Sequence, residues 1–220
     1  MLIFARHGQS QANADALLVG RLDSPLTELG RLQAAALGDA LAARRGAPRL
    51  IVTSPLRRAA QTAEAIATAY KSAAEAQSPG QSGAGLTVAE PRVTMDDRFV
   101  ELDYGELDGV EISELPPGLF SRWSSETTWR PPGGESLVEL TTRVVAACEE
   151  LASEAAKGDV VVVSHVSPIK AAVIWALGGE PELSWRMSLS IASITQISTG
   201  GSRVPTLVSF NAVDHLAILR

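Results

Sequence analysis

The sequence predicts an α/β protein. One domain, residues 1–220, is expected as a three-layer sandwich, with a mostly parallel central sheet flanked by helices. Three observations predict it. Leu2–Ala5, Leu50–Thr53 and Val160–Ser164 are apolar runs of strand length, too continuous for a sheet with one wet face. Stretches with helical apolar spacing separate them. The length of 220 residues suits one domain with a substantial core.

Taken in order, Leu2–Ala5 is a buried strand that exits into Arg6, His7, Gly8, Gln9 and Ser10. Open α/β sheets bind ligands at that end of a strand. Gly8 permits a sharp turn, and Ser10, Asn13 and the amides of a short following helix can meet an anion. Gly20 to Pro25 is turn-rich. Thr27 then caps a helix carrying Leu29, Leu32, Ala36, Leu37 and Leu41 on one face, ended by Gly46 and Pro48. After the strand Leu50–Thr53, Ser54-Pro55 starts a helix reaching about Tyr70, with Arg57 and Arg58 in its first turn. Cations there oppose the helix dipole, so either both face solvent or one faces an anion that the dipole also attracts.

Residues 72–91 lack periodicity and read as a surface excursion. A strand near Arg92–Met95 leads to residues 98–109, which mix alternating apolar residues with glycines and carboxylates. Short helices follow around Leu115–Trp123, and residues 127–136 form a Pro- and Gly-containing loop. Ser136 and Glu139 make a capping box for a long amphipathic helix to about Lys157. The run Val160–Ser164 reads as a central strand, and His165 comes straight after it. Ser167-Pro168 is the expected cap and first residue of a helix to Leu177. Residues 190–198 and 204–210 close the chain as β-rich segments.

Composition narrows the partners. A net charge of −6 argues against nucleic acid and anionic membranes, and no apolar stretch is long enough to span a bilayer. The N-terminus begins in a strand with no leader pattern, so a cytoplasmic location is expected. The single cysteine, Cys148, rules out an internal disulfide, and its helical spacing with Leu140, Val144 and Leu151 makes it core filler. No residue cluster requires a metal, and no cofactor is implied. His215 follows no strand-to-helix edge and is expected to be structural.

The chemistry concentrates where three buried strands end before helices, at Arg6 and His7, at Arg57 and at His165. Parallel strands share that edge, so these side chains converge. Two arginines and two histidines in one place repel one another unless an anion compensates, and a phosphoryl group matches the guanidinium fork. Arg21, Arg122, Trp123, Trp129 and Arg130 are candidates to line the remainder of a substrate pocket, each with a plain surface or packing alternative.

Several stretches resemble the histidine phosphatase superfamily, whose best-known members are the cofactor-dependent phosphoglycerate mutases. They are Arg6-His-Gly-Gln-Ser10 with Asn13, Asp23 to Gly30, Ser54 to Ala63, Glu101 with Gly105 and Gly109, Pro132 to Ser136, and Ser164-His165, in family order across nearly the whole chain. The resemblance implies a phosphoglycerate mutase-like fold and His7 as a phosphorylated nucleophile. It further implies that Arg6, Arg57 and His165, assisted by Asn13, form the phosphate pocket, with Glu101 as proton donor. Val166 departs from it, since the family usually has glycine after the second histidine.

The leading expectation is a phosphatase acting on a small phosphorylated metabolite through phosphohistidine. A phosphoglycerate mutase is the alternative, and a non-catalytic phospho-ligand module the third reading. Asp103, Glu106, Asp108, Glu111 and Glu114 after Glu101 would form an acidic rim hostile to a glycerate carboxylate, which favours hydrolysis. A homodimer is left open.

Overall fold

The computed structural model describes residues 1–44, 46–77, 91–200 and 204–219. One sheet contains β1 (Leu2–Arg6), β2 (Leu50–Thr53), β3 (Arg92–Met95), β4 (Val160–Ser164), β5 (Ile194–Ser198) and β6 (Thr206–Ala212), in the order β3-β2-β4-β1-β5-β6. β3, β2, β4 and β1 are parallel; β5 and β6 add an antiparallel edge. The helices are α1 (Gln11–Ala14), α2 (Glu28–Ala42), α3 (Arg57–Gln77), α4 (Leu119–Ser125), α5 (Leu137–Ala155) and α6 (Val166–Leu177).

Strand alternation divides the core between two layers. Leu2, Phe4, Val160 and Val162 pack with residues of α5 and α6, whereas Ile3, Ala5, Val161 and Val163 pack with residues of α2 and α3. Each fully buried valine of β4 contributes roughly 1.5–3 kcal/mol by leaving water. This explains why so unbroken an apolar run holds the centre of the sheet. Cys148 is fully buried among these residues, and burial pushes its thiol pKa up, so it is inert packing.

Three local expectations need correction. On α2 the buried residues are Gly30, Ala34, Leu37, Gly38 and Leu41, while Leu29 and Leu32 are exposed. The stripe is rotated because Gly30 must meet the turn after β1. A Cβ at Gly30 would lie 2.0 Å from the Gln9 carbonyl oxygen, and one at Gly8 would lie 2.3 Å from the Gly30 carbonyl oxygen. Second, α3 continues to Gln77, because Ser72-Ala-Ala-Glu-Ala-Gln77 is rich in helix formers. Residues 78–90 of the expected excursion lie outside the described residues. Third, α6 begins at Val166 with His165 as its N-cap, two residues before the expected cap at Ser167.

The sheet register delivers the convergence that the strand ends promised. Arg6 pairs with Ser164 and Thr53 with Val163. The next residues stay tied across the edge, His7 N–H donating to the Ser164 carbonyl (3.1 Å) and Ser54 N–H to the Val163 carbonyl (3.0 Å). From the antiparallel side, the Ser193 carbonyl accepts from Arg6 N–H and Ala192 N–H donates to the His7 carbonyl. His215 lies 2.9 Å through Nε2 from the Ala192 carbonyl, so it braces this turn, in keeping with a structural role.

Candidate active site

His7 is buried at the end of β1. Its Nδ1 lies 2.7 Å from the Gly8 carbonyl oxygen. A carbonyl only accepts, so this contact places the proton on Nδ1 and leaves a lone pair on Nε2. Arg58 Nε donates to that Nε2 at 3.3 Å. Burial above all, then the charges of Arg58 and Arg6, drives the His7 pKa well below the usual imidazole value. The ring is therefore neutral at pH 7, with the lone pair of Nε2 facing Arg58.

Arg58, not Arg57, supplies the arginine of α3. Arg57 is exposed, and its backbone N–H donates to Asp23 Oδ1 at 2.7 Å, which closes the open start of the helix. One residue is about 100° of helix rotation. Arg58 thus falls on the buried face with Thr62 and Ile66, and Arg57 on the outer face with Gln61 and Glu64. Arg58 is only 1% exposed, and its guanidinium also donates to the Leu22 and Gly20 carbonyls, both at 2.8 Å. The turn-rich segment before α2 is thereby a clamp on this side chain. The period-3.6 spacing of Arg58, Thr62 and Ile66 was the available signal.

His165 is fully buried, with ring centres 5.0 Å from His7. Its Nε2 meets Ser54 Oγ at 2.7 Å, and its Nδ1 is buried without a partner among the described residues. Burial, followed by Arg58, His7 and Arg6, pushes its pKa well below the usual value. Arg6 Nη1 donates to the Leu189 carbonyl at 2.6 Å, whereas its Nε is also buried without a partner among the described residues. Burial, opposed by the Glu101 charge, brings the Arg6 pKa down to about 10. Native proteins rarely leave such groups unsatisfied, so these two atoms, without a partner among the described residues, are unused hydrogen-bonding capacity near His7.

Glu101 reaches the same edge from the loop before α4. Oε2 accepts from Val166 N–H (3.0 Å), and Oε1 accepts from Ser167 N–H (3.2 Å) and Leu102 N–H (2.7 Å). The carboxylate thus does for α6 what a serine cap would do, which explains the early start of that helix. Val166 is accommodated as the first helical residue, where glycine is not needed. Arg143 of α5 donates to the Arg98 carbonyl (2.6 Å) and the Glu101 carbonyl (3.2 Å), and its guanidinium is paired to Glu135 at 2.7 and 2.8 Å. This strut beneath Glu101 was missed in the sequence, although Glu135 and Arg143 stand eight residues apart across the start of α5.

The other expected contacts divide. Ser10 is buried, and its hydroxyl is committed to Asn13 in the capping box of α1, so it shapes the turn. Asn13 points Oδ1 back at Ser10 and leaves its amide nitrogen free among the described residues. Arg21 is exposed, with guanidinium nitrogens 3.8 Å from Asp103 and 3.9 Å from Glu135. Arg130 pairs with Glu139 and Arg122 lies over the Trp129 ring. Trp123 is buried against Tyr104, Trp129 and Trp185, at ring-centre distances of 5.2, 5.5 and 6.4 Å. The acidic rim is also not free as expected. Asp103 accepts from Gly105 N–H, and Asp108 accepts from Gly20 and Leu22 N–H.

Hollows of about 460 and 740 Å3 lie along α2 and α3 and are lined by none of Arg6, His7, Arg58, Glu101 and His165, so size alone does not locate the chemistry. Among the described residues, no group of three His, Cys, Asp or Glu side chains can hold a metal ion, and no helix is long and apolar enough to cross a membrane.

Comparison with known proteins finds relatives across nearly the whole chain. The family model of the histidine phosphatase superfamily (branch 1) matches residues 2–78 and 84–213. A glucosyl-3-phosphoglycerate phosphatase of Mycolicibacterium vanbaalenii is 34% identical over 210 residues, covering 91% of this chain and 84% of its own. Phosphoserine phosphatase 1 of Hydrogenobacter thermophilus is 31% identical over 219 residues, covering 98% and 93%. The native structure of a mycobacterial glucosyl-3-phosphoglycerate phosphatase superposes with a TM-score of 0.78 at 28% identity, covering 96% of this chain and 98% of that one. Other curated relatives are longer: the chain spans about half (49%) of the mycobacterial proteins that match it at 33% identity.

Proposed function

Because the chain belongs to the histidine phosphatase superfamily, we propose that it hydrolyses a small phosphomonoester through a phosphohistidine at His7. The observation that carries this reading is the neutral His7 ring, proton held on Nδ1 by the Gly8 carbonyl and Nε2 facing Arg58. In the first half-reaction Nε2 attacks phosphorus, the ester P–O bond breaks, and Glu101, as general acid, gives a proton to the departing alkoxide. In the second, Glu101 takes a proton from water, the water oxygen bonds phosphorus, and the N–P bond breaks to release phosphate. Arg6 and Arg58 stabilise charge on the equatorial oxygens, with His165 donating from a ring nitrogen and Asn13 from its amide.

Relatives named as phosphatases support hydrolysis over phosphoryl return. Every group in the reading comes from one chain, so no step requires a homodimer. A cytoplasmic setting is part of the reading. The test is phosphate release from p-nitrophenyl phosphate, before and after exhaustive chelation. Turnover that survives chelation and disappears in His7→Ala is expected. Activity in His7→Ala, or activity restored only by magnesium or zinc, would overturn the reading. Primer-dependent conversion of 3-phosphoglycerate to 2-phosphoglycerate, with little free phosphate, would make it a mutase.

A further inference from the structure

The turn after β1 meets two opposing demands. Gly8 must lack a side chain, because a Cβ there would lie 2.3 Å from the Gly30 carbonyl oxygen of α2. A residue without Cβ leaves the peptide planes on either side of it weakly restrained. Yet one of those planes carries the carbonyl that holds the proton on His7 Nδ1. Groups outside the turn must fix it.

Each plane is held at both ends. The His7–Gly8 peptide accepts from Ala192 N–H through its carbonyl (3.1 Å) and donates through Gly8 N–H to Thr62 Oγ1 (3.2 Å). The Gly8–Gln9 peptide turns its carbonyl to His7 Nδ1 (2.7 Å), and its N–H donates to Gln33 Oε1 at 2.9 Å. A trans peptide is planar, so its N–H and C=O point in opposite directions. Holding the Gln9 N–H therefore aims the Gly8 carbonyl. A backbone N–H only donates, so the atom of the Gln33 amide that meets it is the oxygen. Gln33 stands one turn beyond Gly30 on α2, on the side that meets the turn, and is half-buried. The contact from Arg58 Nε to Nε2 already selects the ring protonated at Nδ1. The Gly8 carbonyl adds direction. An imidazole turns about two side-chain bonds, and an acceptor fixed at Nδ1 decides where Nε2 points. Attack on phosphorus needs that alignment.

We propose that Gln33 is a positioning residue of the reaction: through the Gly8–Gln9 peptide plane it aims the His7 ring for attack. The proposal rests on the reading of His7 as nucleophile and adds a residue that acts on the ring only through the backbone. Thr62 does the neighbouring service for the His7–Gly8 plane, so α2 and α3 each hold one side of the turn.

The test compares Gln33→Met, which keeps the length of the side chain and removes the acceptor, with Gln33→Glu, which keeps an acceptor of the same reach. Both residues are good helix formers, and thermal unfolding within a few degrees of the wild type checks the fold. With p-nitrophenyl phosphate in single turnover, Gln33→Met should phosphorylate His7 about tenfold more slowly, with KM within about twofold of the wild type. Gln33→Glu should stay within about threefold in rate. In protein carrying isotope-labelled histidine, the Nδ1 proton of His7 should shift upfield in Gln33→Met and exchange faster with water, as a weakened hydrogen bond requires. It should keep its wild-type position in Gln33→Glu. An unchanged phosphorylation rate and an unchanged Nδ1 proton in Gln33→Met, or equal losses in the two variants, would overturn this role alone. A wild-type protein that turns over no phosphomonoester would overturn the phosphatase reading itself and this proposal with it.

Discussion

The edge around His7 and the cap, as we call the Tyr104, Phe120, Trp123, Trp129 and Trp185 rings on and around α4, are built by different physics. At the edge, side chains hang on backbone groups. Gly8 fixes His7, Leu22 and Gly20 fix Arg58, Leu189 fixes Arg6, and helix-start amides fix Glu101. Hydrogen bonds to a continuous sheet and its exits tolerate little displacement. In the cap, ring packs against ring, and two of the rings, Phe120 and Trp185, are 46% and 39% exposed. Ring contacts are broad in geometry and survive substitution of one ring for another. In the proposed reading, the edge carries the chemical step on phosphorus and the cap contacts what is attached to it.

The sharpest way to break that contrast is to exchange the fates of two adjacent arginines. Arg58→Ala should lower kcat/KM by roughly 10²- to 10³-fold on every phosphomonoester, because it removes a fixed donor from the transition state. Arg57→Ala should stay within about twofold, since only its backbone touches the fold. Comparable losses in both would mean that α3 is rotated from the orientation described here.

A second expected effect is on stability against pH. His7 and His165 both have folded-state pKa values well below the unfolded value of about 6.5. Below that value the unfolded chain binds protons that the folded chain refuses, so their contribution is complete above pH 6.5 and declines as pH falls. Each histidine should add up to about 1.4 kcal/mol of loss per pH unit in that window. Chemical denaturation from pH 7.5 to 5.5 should show the decline, and His165→Gln should flatten it. An unchanged slope in that variant would place His165 in a wetter environment.

Arg143→Met should then lower kcat by about tenfold and stability by roughly 1–3 kcal/mol, through a displaced Glu101 and an unpaired Glu135. The kcat loss should be larger for alkyl phosphates than for p-nitrophenyl phosphate, whose leaving group needs less protonation. A purely structural strut would reduce both alike. Smallest of all, Phe120→Leu in the cap should change KM a few-fold and differently from one substrate to the next, leaving phosphoryl transfer from p-nitrophenyl phosphate within about threefold. A uniform collapse would tie the cap to the chemistry instead.

The same contrast explains what could be read without coordinates. β1, β2 and β4 are legible because strands buried on both faces leave unbroken apolar runs, and the residue after each run must lie at a shared edge. The capping box at Ser136 and Glu139 is local, so it too was legible. Arg57 was misplaced because position in the first turn was weighed and helix phase was not; Thr62 and Ile66 mark Arg58 as the inward residue. The α6 cap was misread because its acceptor, Glu101, lies 65 residues away in sequence.

The central claim is a covalent phosphoryl group on His7 Nε2, and trapping it is the most direct measurement. The protein should be mixed briefly with a labelled phosphomonoester, quenched in alkali and mapped by mass spectrometry. The account predicts an acid-labile, alkali-stable phosphoryl group on His7, absent from His7→Ala, that forms faster than phosphate is released or as fast. Label on another residue, or unlabelled protein that still turns substrate over at the full rate through direct attack by water, would contradict it.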